Sequence, residues 1–283
     1  MNNNEKDELM VTIRCITYNH EPYIRQCLDG FVMQKTNFRF EAIVHDDAST
    51  DGTADIIREY AEKYPDIIKP ILQTENQYSK HDGSIRRILN EHTHGKYVAM
   101  CEGDDYWIDP LKLQKQVDFL EENPNHSLCF HAYSKLFNDG NLSEVHQFSQ
   151  DVIDVPKENM ILGGGGYMAT NSMLYVRKYY DNIPEWIKKA PVGDAPLMLL
   201  LLEMGKVAYI NDNMSVYRIL SLGSWSSRIS NSYKKMFRHH RAIIKMWNEF
   251  DRWSGYKYHP IVKKKKFRNR KSFFYTTIKY LLK

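Results

Sequence analysis

Residues 1–9 are polar and read as a flexible tail. Residues 10–17 form a short apolar, β-branched run, the pattern of a buried strand. The turn Tyr18-Asn19-His20 follows, and a helix is expected from near Pro22, because proline is favoured in a first turn. Ile24, Leu28, Phe31 and Val32 recur at helical spacing and give that helix one buried face. A second strand over residues 40–45 runs into HDDASTDGT at residues 45–53. Ile56, Ile57, Tyr60, Ala61 and Tyr64 then form an amphipathic stripe that stops at Pro65. A third strand is expected at residues 67–72, a helix around 84–91 and a fourth strand at 97–101. Alternating strands and helices imply a parallel sheet with right-handed crossovers. Such sheets bind ligands beyond the carboxyl ends of their strands. Both acidic words of this chain, HDDAS and EGDD, fall there.

The second half is less regular. Leu113, Val117 and Leu120 predict a helix ending near Pro124, and residues 127–137 predict a strand. Residues 138–160 are polar and read as loop with a short strand, and four glycines at 163–166 mark a flexible or tightly turned segment. Residues 171–177 read as a strand, about 195–204 as a helix and 207–210 as a strand. From residue 230 onward the pattern is helical, with basic, aromatic-rich stretches at 233–247 and 263–283. No internal repeat is visible.

Composition narrows the class. The chain has 283 residues, 42% hydrophobic and 26% charged, which suits a globular protein. The formal charge is +4, and much of the excess sits in Lys263, Lys264, Lys265, Lys266, Arg268, Arg270 and Lys271. Nucleic-acid binding would have to rest on that tail alone, and no recognition motif accompanies it. Cys15, Cys27, Cys101 and Cys129 have no metal-ligand spacing and read as buried thiols of a reducing compartment. The N-terminal residues lack the apolar core of a signal peptide, and the longest apolar run, 197–202, is too short to cross a bilayer. A cytoplasmic protein is expected.

The chemistry lies in the acidic words. EGDDYW, residues 102–107, puts three carboxylates within four residues at a strand end. Like charges this dense need water or a cation, and hard ions such as Mg²⁺ and Mn²⁺ bind through one or two carboxylates plus substrate phosphates. A solvated turn before the next helix explains the same spacing. In HDDASTDGT, Asp46, Asp47, Ser49 and Asp51 are good turn and N-cap residues without any function.

The order of the motifs is more informative than either alone. ITYNHEPYI, HDDASTDGT and IRRILNEHTHGKYVAMCEGDDYW together resemble the donor-binding half of family 2 glycosyltransferases. The resemblance is close over residues 10–130 and looser over 165–228. It implies an α/β, GT-A-like fold: a mostly parallel central sheet flanked by helices, here with a helical C-terminal extension. The implied organisation is a domain at 10–228, with a nucleotide-sugar-binding half at 10–130 and an acceptor-binding half at 131–228, followed by a basic extension at 229–283.

The resemblance also implies roles. Thr17 and Tyr18 would lie against the nucleobase, Asp47 would accept a hydrogen bond from it, and Arg86 would lie near the nucleotide. Glu102, Gly103 and Asp104 take the place of the family's D-x-D signature, with Asp104 as ligand to Mn²⁺ or Mg²⁺. Glu102 stands where Asp is commoner, which touches its ribose contact. Asp194 matches the catalytic base, while Gly193 departs from the usual Glu. Arg218 and Trp225 match a loop that closes over donor and acceptor, but Leu220 replaces a common His. The implied reaction is inverting transfer from a nucleotide-diphosphate sugar, UDP-linked in most such enzymes, to a hydroxyl of a glycan or lipid-linked acceptor. A nucleotidyltransferase and an inactive nucleotide-sugar-binding subunit are the rival readings. The tail, with Phe267, Phe274, Ile278 and Leu281 among lysines and arginines, fits either an anionic membrane surface or packing on its own domain.

Overall fold

The computed structural model describes residues 8–219 and 232–281. Its strands are β1 (Leu9–Thr17), β2 (Arg39–Asp46), β3 (Ile68–Leu72), β4 (Tyr97–Met100), β5 (Tyr106–Trp107), β6 (His126–Leu136), β7 (Leu142–Val145), β8 (Val152–Asp154), β9 (Leu174–Val176) and β10 (Lys206–Arg218). Its helices are α1 (Glu21–Val32), α2 (Thr53–Lys63), α3 (Ser84–His92), α4 (Lys112–Glu122), α5 (Lys157–Gly163), α6 (Glu185–Lys188), α7 (Asp194–Met204), α8 (Tyr233–Trp253) and α9 (His259–Leu281).

All ten strands join one sheet in the order β3-β2-β1-β4-β9-β6-β10-β5, with β7 on β6 and β8 on β10. β3, β2, β1 and β4 are mutually parallel. β9 is antiparallel to both β4 and β6, and β10 is parallel to β6. The six principal strands therefore point one way, and their carboxyl ends share an edge.

Helices cover both faces, so successive strand residues enter different cores. Tyr97, Ala99, Cys129, Leu174 and Ala208 pack with α1, α2 and α4. Their neighbours Val98, Leu128, Phe130, Tyr175, Val207 and Tyr209 pack with α5, α7, α8 and the start of α9. Double-sided burial explains the continuous apolar runs of the sequence. The run 197–202 is buried on all sides of α7, as expected of a helix that is apolar all round. Full burial of each such Leu contributes about 1.5–3 kcal/mol. Met246, Trp247 and Phe250 of α8 and Val262 of α9 complete that second core.

The structure departs from the sequence reading at several elements. The strand expected at 171–177 shrinks to β9, because Asn171 and Ser172 occupy a 3₁₀ turn held by their own side chains. The strand expected at 207–210 extends to Arg218 through two register shifts. Polar Asn213 and Ser215 bond Ser134 and Asn171 inside the sheet. The polar stretch 138–160 supplies β7, β8 and the start of α5. The four glycines end α5 and form a 3₁₀ turn, Gly164–Tyr167. All four cysteines are buried thiols.

One core residue is costly. Lys112 is fully buried; its amine donates to Gln116 Oε1 at 2.7 Å and lies 4.0 Å from the Trp107 ring centre. Burial lowers its pKa from 10.5 to about 7. The ionisation penalty is therefore complete at and below pH 7 and fades as the pH rises toward the unfolded value of 10.5. In urea titrations, the stability difference between wild type and Lys112→Met should shift in favour of wild type from pH 7 to pH 10. A pH-independent difference would contradict the burial assignment.

Candidate active site

The site is built at the carboxyl ends of β1, β2 and β4. The loops after β1 and β2 are laced together. The Asn19 amide donates to Ser49 Oγ (2.8 Å), Thr50 donates its amide to Asn19 Oδ1 (2.8 Å), and the His20 amide donates to Thr53 Oγ1 (2.9 Å). The Glu21 amide reaches Asp51, and Glu21 in turn accepts from the Gly52 amide at 2.9 Å. Ser49, Asp51 and Thr53 thus hold the entry to α1 rather than acting only within their own turn.

The loop after β4 lies against the same strand end. The Gly103 amide donates to Ile16 O at 3.0 Å. A Cβ on Gly103 would lie 2.6 Å from Thr17 Oγ1 and 3.0 Å from His20 Nδ1, so only glycine lets the acidic loop sit this close. Thr17 is buried, whereas the neighbouring Tyr18 is 37% exposed. His20 was not among the residues selected from the sequence. Burial lowers its pKa, against the opposing pull of Asp104, Asp51 and Asp46.

Carboxylates converge here. Glu102 stays open to solvent, although protein atoms crowd it as densely as an interior group. That crowding, then the charges of Asp104 and Asp194, push its pKa up to about 7. Water contact weakens the first contribution, so mutual repulsion is the feature that matters chemically. Asp105 is buried, and burial followed by Asp104 holds its pKa well above the usual range. Its Oδ1 accepts the Arg218 amide at 2.8 Å. Tyr217 is raised by burial and then by Asp105, Glu102, Asp104 and Asp194. All four acids therefore act on this one hydroxyl.

Asp194 opens α7, where the helix dipole favours negative charge. Gly193 occupies the N-cap, and Asp194 is the first residue of the helix. Its carboxylate rests on the glycine turn: a Cβ on Gly165 would lie 2.5 Å from Asp194 Oδ2. The glycine run was legible as a turn, but its contact with Asp194 was not.

Arg218, the last residue of β10, binds this centre to the sheet. Its guanidinium bonds Asp104 O and Gln26 Oε1 and lies 4.9 Å and 4.7 Å from the ring centres of Tyr23 and Tyr106. Two other selected residues also act on neighbouring segments. Asp47 is buried, with its carboxylate accepting the amides of Gln77 (2.6 Å) and Tyr78 (3.1 Å), and so anchors the loop after β3. Arg86 lies in the first turn of α3, and its charge acts on Tyr180 and Glu185. Trp225 and Leu220 lie outside the described residues.

The donor set suits a hard divalent cation held mainly by substrate. Among the described residues no group of three or more His, Cys, Asp or Glu side chains is arranged to hold a metal. A cation at Asp104 would complete its shell with phosphate oxygens and water, the usual habit of Mg²⁺. The repulsion among Glu102, Asp104 and Asp194 is the observation that such an ion fits.

Comparison with known proteins identifies a family and a fold. The model of the family described as glycosyl transferase family 2 matches residues 12–183. An uncharacterized protein of Mycobacterium tuberculosis is 38% identical over 225 residues, 79% of this chain and 63% of that protein. TuaG of Bacillus subtilis, named as a teichuronic acid biosynthesis glycosyltransferase, is 28% identical over 84% of this chain and 89% of its own length. Among solved structures, Staphylococcus aureus TarS 1–349 in complex with UDP-GlcNAc superposes with a TM-score of 0.64 at 19% identity, covering 85% of this chain and 66% of that one. A Pyrobaculum calidifontis mannosyltransferase in complex with GDP-Man and Mn²⁺ gives 0.58 at 18%, covering 87% and 65%. This chain thus spans slightly under two thirds of the mycobacterial relative and of both solved structures. The fold is GT-A.

The Gly165–Asp194 contact yields a test. Gly165→Ala should push the Asp194 carboxylate aside, leaving circular dichroism and nucleotide binding unchanged while lowering turnover at least tenfold. Unchanged turnover would show that the glycine turn does not set the position of Asp194.

Proposed function

The chain belongs to glycosyl transferase family 2, and on that premise we propose that it is an inverting, metal-dependent enzyme that moves a sugar from a nucleotide-diphosphate donor to a hydroxyl. UDP is the nucleotide we assign, and a glycan or lipid-linked acceptor of cell-surface polysaccharide the substrate class. The observation that carries the proposal is the convergence of Glu102, Asp104 and Asp194 at the sheet edge. TarS with its UDP-sugar and the mannosyltransferase with Mn²⁺ lend support from the same fold. TuaG supports the cell-surface setting.

In this reading Asp194 takes the proton of the acceptor hydroxyl as its oxygen attacks the anomeric carbon. The bond to the diphosphate breaks on the opposite side, so the anomeric centre inverts. Seated on Gly165 at the start of α7, the carboxylate is a positioned acceptor. Asp104 would hold a divalent ion, which when bound would neutralise charge on the departing diphosphate. Tyr18 offers its ring to the nucleobase, next to Thr17 and Gly103. Asp47, which holds the Gln77 and Tyr78 amides, would also accept a hydrogen bond from the base. Glu102 contacts the ribose, while Arg86 and Trp225 complete the nucleotide contacts. Arg218 holds the acidic loop in position beneath the diphosphate.

We place the protein in the cytoplasm, at the inner face of the membrane where lipid-linked acceptors are assembled. No described helix is long and apolar enough to cross a membrane.

The test is nucleotide release from a panel of nucleotide sugars with Mn²⁺ and candidate acceptors. Wild type should release UDP from at least one donor. Asp194→Asn should lower turnover on the order of a hundredfold or more with donor affinity unchanged. Asp104→Ala should abolish the Mn²⁺-dependent rate in a folded protein. Nucleotide binding without turnover by wild type would instead make the chain a binding subunit. Full metal-dependent activity in Asp104→Ala would remove that residue as the ligand.

A further inference from the structure

We infer that the outer face of α9 is a docking surface for an anionic lipid membrane. Phe267, Phe274 and Ile278 form its apolar ridge, and lysines and arginines flank them. The three apolar residues are seven and four positions apart, about two turns and one turn, so they line one stripe of the helix. They are 66%, 62% and 39% exposed. By the same helical spacing Lys263 and Arg270 lie along one side of the stripe, and Lys264, Arg268 and Lys271 along the other; all five are exposed. No Asp or Glu occurs between residues 259 and 281.

The opposite face of α9 already has its partners. Val262 is buried in the second core, Lys266 donates to Asn248 at 2.8 Å, and Phe273 stacks on His240 with ring centres 4.3 Å apart. Folding therefore uses one face and leaves a ridge of two phenyl rings and an isoleucine in water. An apolar ridge bordered by cations on both sides is the arrangement of a helix lying in a membrane interface, with rings below the headgroups and basic groups among them. A nucleic acid would use the cations, but its phosphates have no use for an isoleucine at the centre of the stripe.

The inner face links this surface to the acceptor side of the cleft. The Lys265 amine donates to Leu162 O (3.0 Å) and Gly163 O (2.7 Å), the carbonyls that end α5. The turn that follows carries Gly165, on which Asp194 rests. A docked α9 would thus hold the base side of the cleft next to lipid, which suits a lipid-linked acceptor. Only this last step rests on the transferase reading; the surface itself does not.

The experiment is co-sedimentation of the full chain with vesicles of phosphatidylcholine alone or mixed with phosphatidylglycerol. We expect binding to the anionic vesicles, weakening as salt is raised, and little binding to phosphatidylcholine alone. The double substitution Phe267→Glu/Phe274→Glu should lower partitioning at least tenfold, with circular dichroism and UDP binding unchanged. Should that variant misfold, Lys264→Gln/Arg268→Gln/Lys271→Gln keeps the ridge and should bind more weakly, with a shallower salt dependence. No pelleting with anionic vesicles at low salt would overturn the proposal, as would equal binding by the variants. Concentration-dependent dimerisation, or binding of a nucleic acid, that the same substitutions abolish while vesicles go unbound would also overturn it. Nucleotide release measured in solution stands apart from these outcomes, so either reading can fail alone.

Discussion

The site depends on holding mutually repelling carboxylates at one sheet edge. Glu102, Asp104, Asp105 and Asp194 all influence Tyr217, and each raises the cost of ionising its neighbours. Arg218 restrains this cluster. Its amide satisfies buried Asp105, and its guanidinium bonds the Asp104 carbonyl and Gln26 of α1 between the rings of Tyr23 and Tyr106. A guanidinium offers a planar fork of donors and stacks on aromatic faces, so one residue can do all of this where a lysine could not. Because Arg218 ends β10, the second half of the chain locks the acidic loop made by the first.

The two halves supply different physics. β1, β2 and β4 deliver loops whose backbones touch: Asp47 N and Gly103 N donate to consecutive carbonyls of β1, Thr17 and Ile16. Glycine at 103 makes that approach possible. The other half contributes a carboxylate at the start of an apolar helix, seated on a second glycine. Two small residues thus set how near the acids come to the strand end and to each other.

Much of the first half was legible because burial on both faces turns parallel strands into continuous apolar runs, and turn residues punctuate them. The family resemblance then gave the acidic words an order and a meaning. What could not be read were contacts distant in sequence. The two oxygens of Asp47 are engaged by Gln77 and Tyr78, and Gly165 meets Asp194. Neither spacing carries a local signal. β7 and β8 are short and largely exposed, so pairing with β6 and β10 defines them rather than hydrophobic pattern. Of the two tail readings, packing on the domain holds for α8 and the start of α9, which complete a core, while the outer face of α9 is exposed.

The central claim is that the carboxylates of the two halves face one another across a bound nucleotide diphosphate. A crystal structure of the chain with UDP and Mn²⁺ tests it most directly. The account predicts the ion between Asp104 and the diphosphate, uracil beside Tyr18, and the Asp194 carboxylate facing the position of the sugar. UDP bound away from the ends of β1 and β4, or an ion coordinated without Asp104, would contradict it.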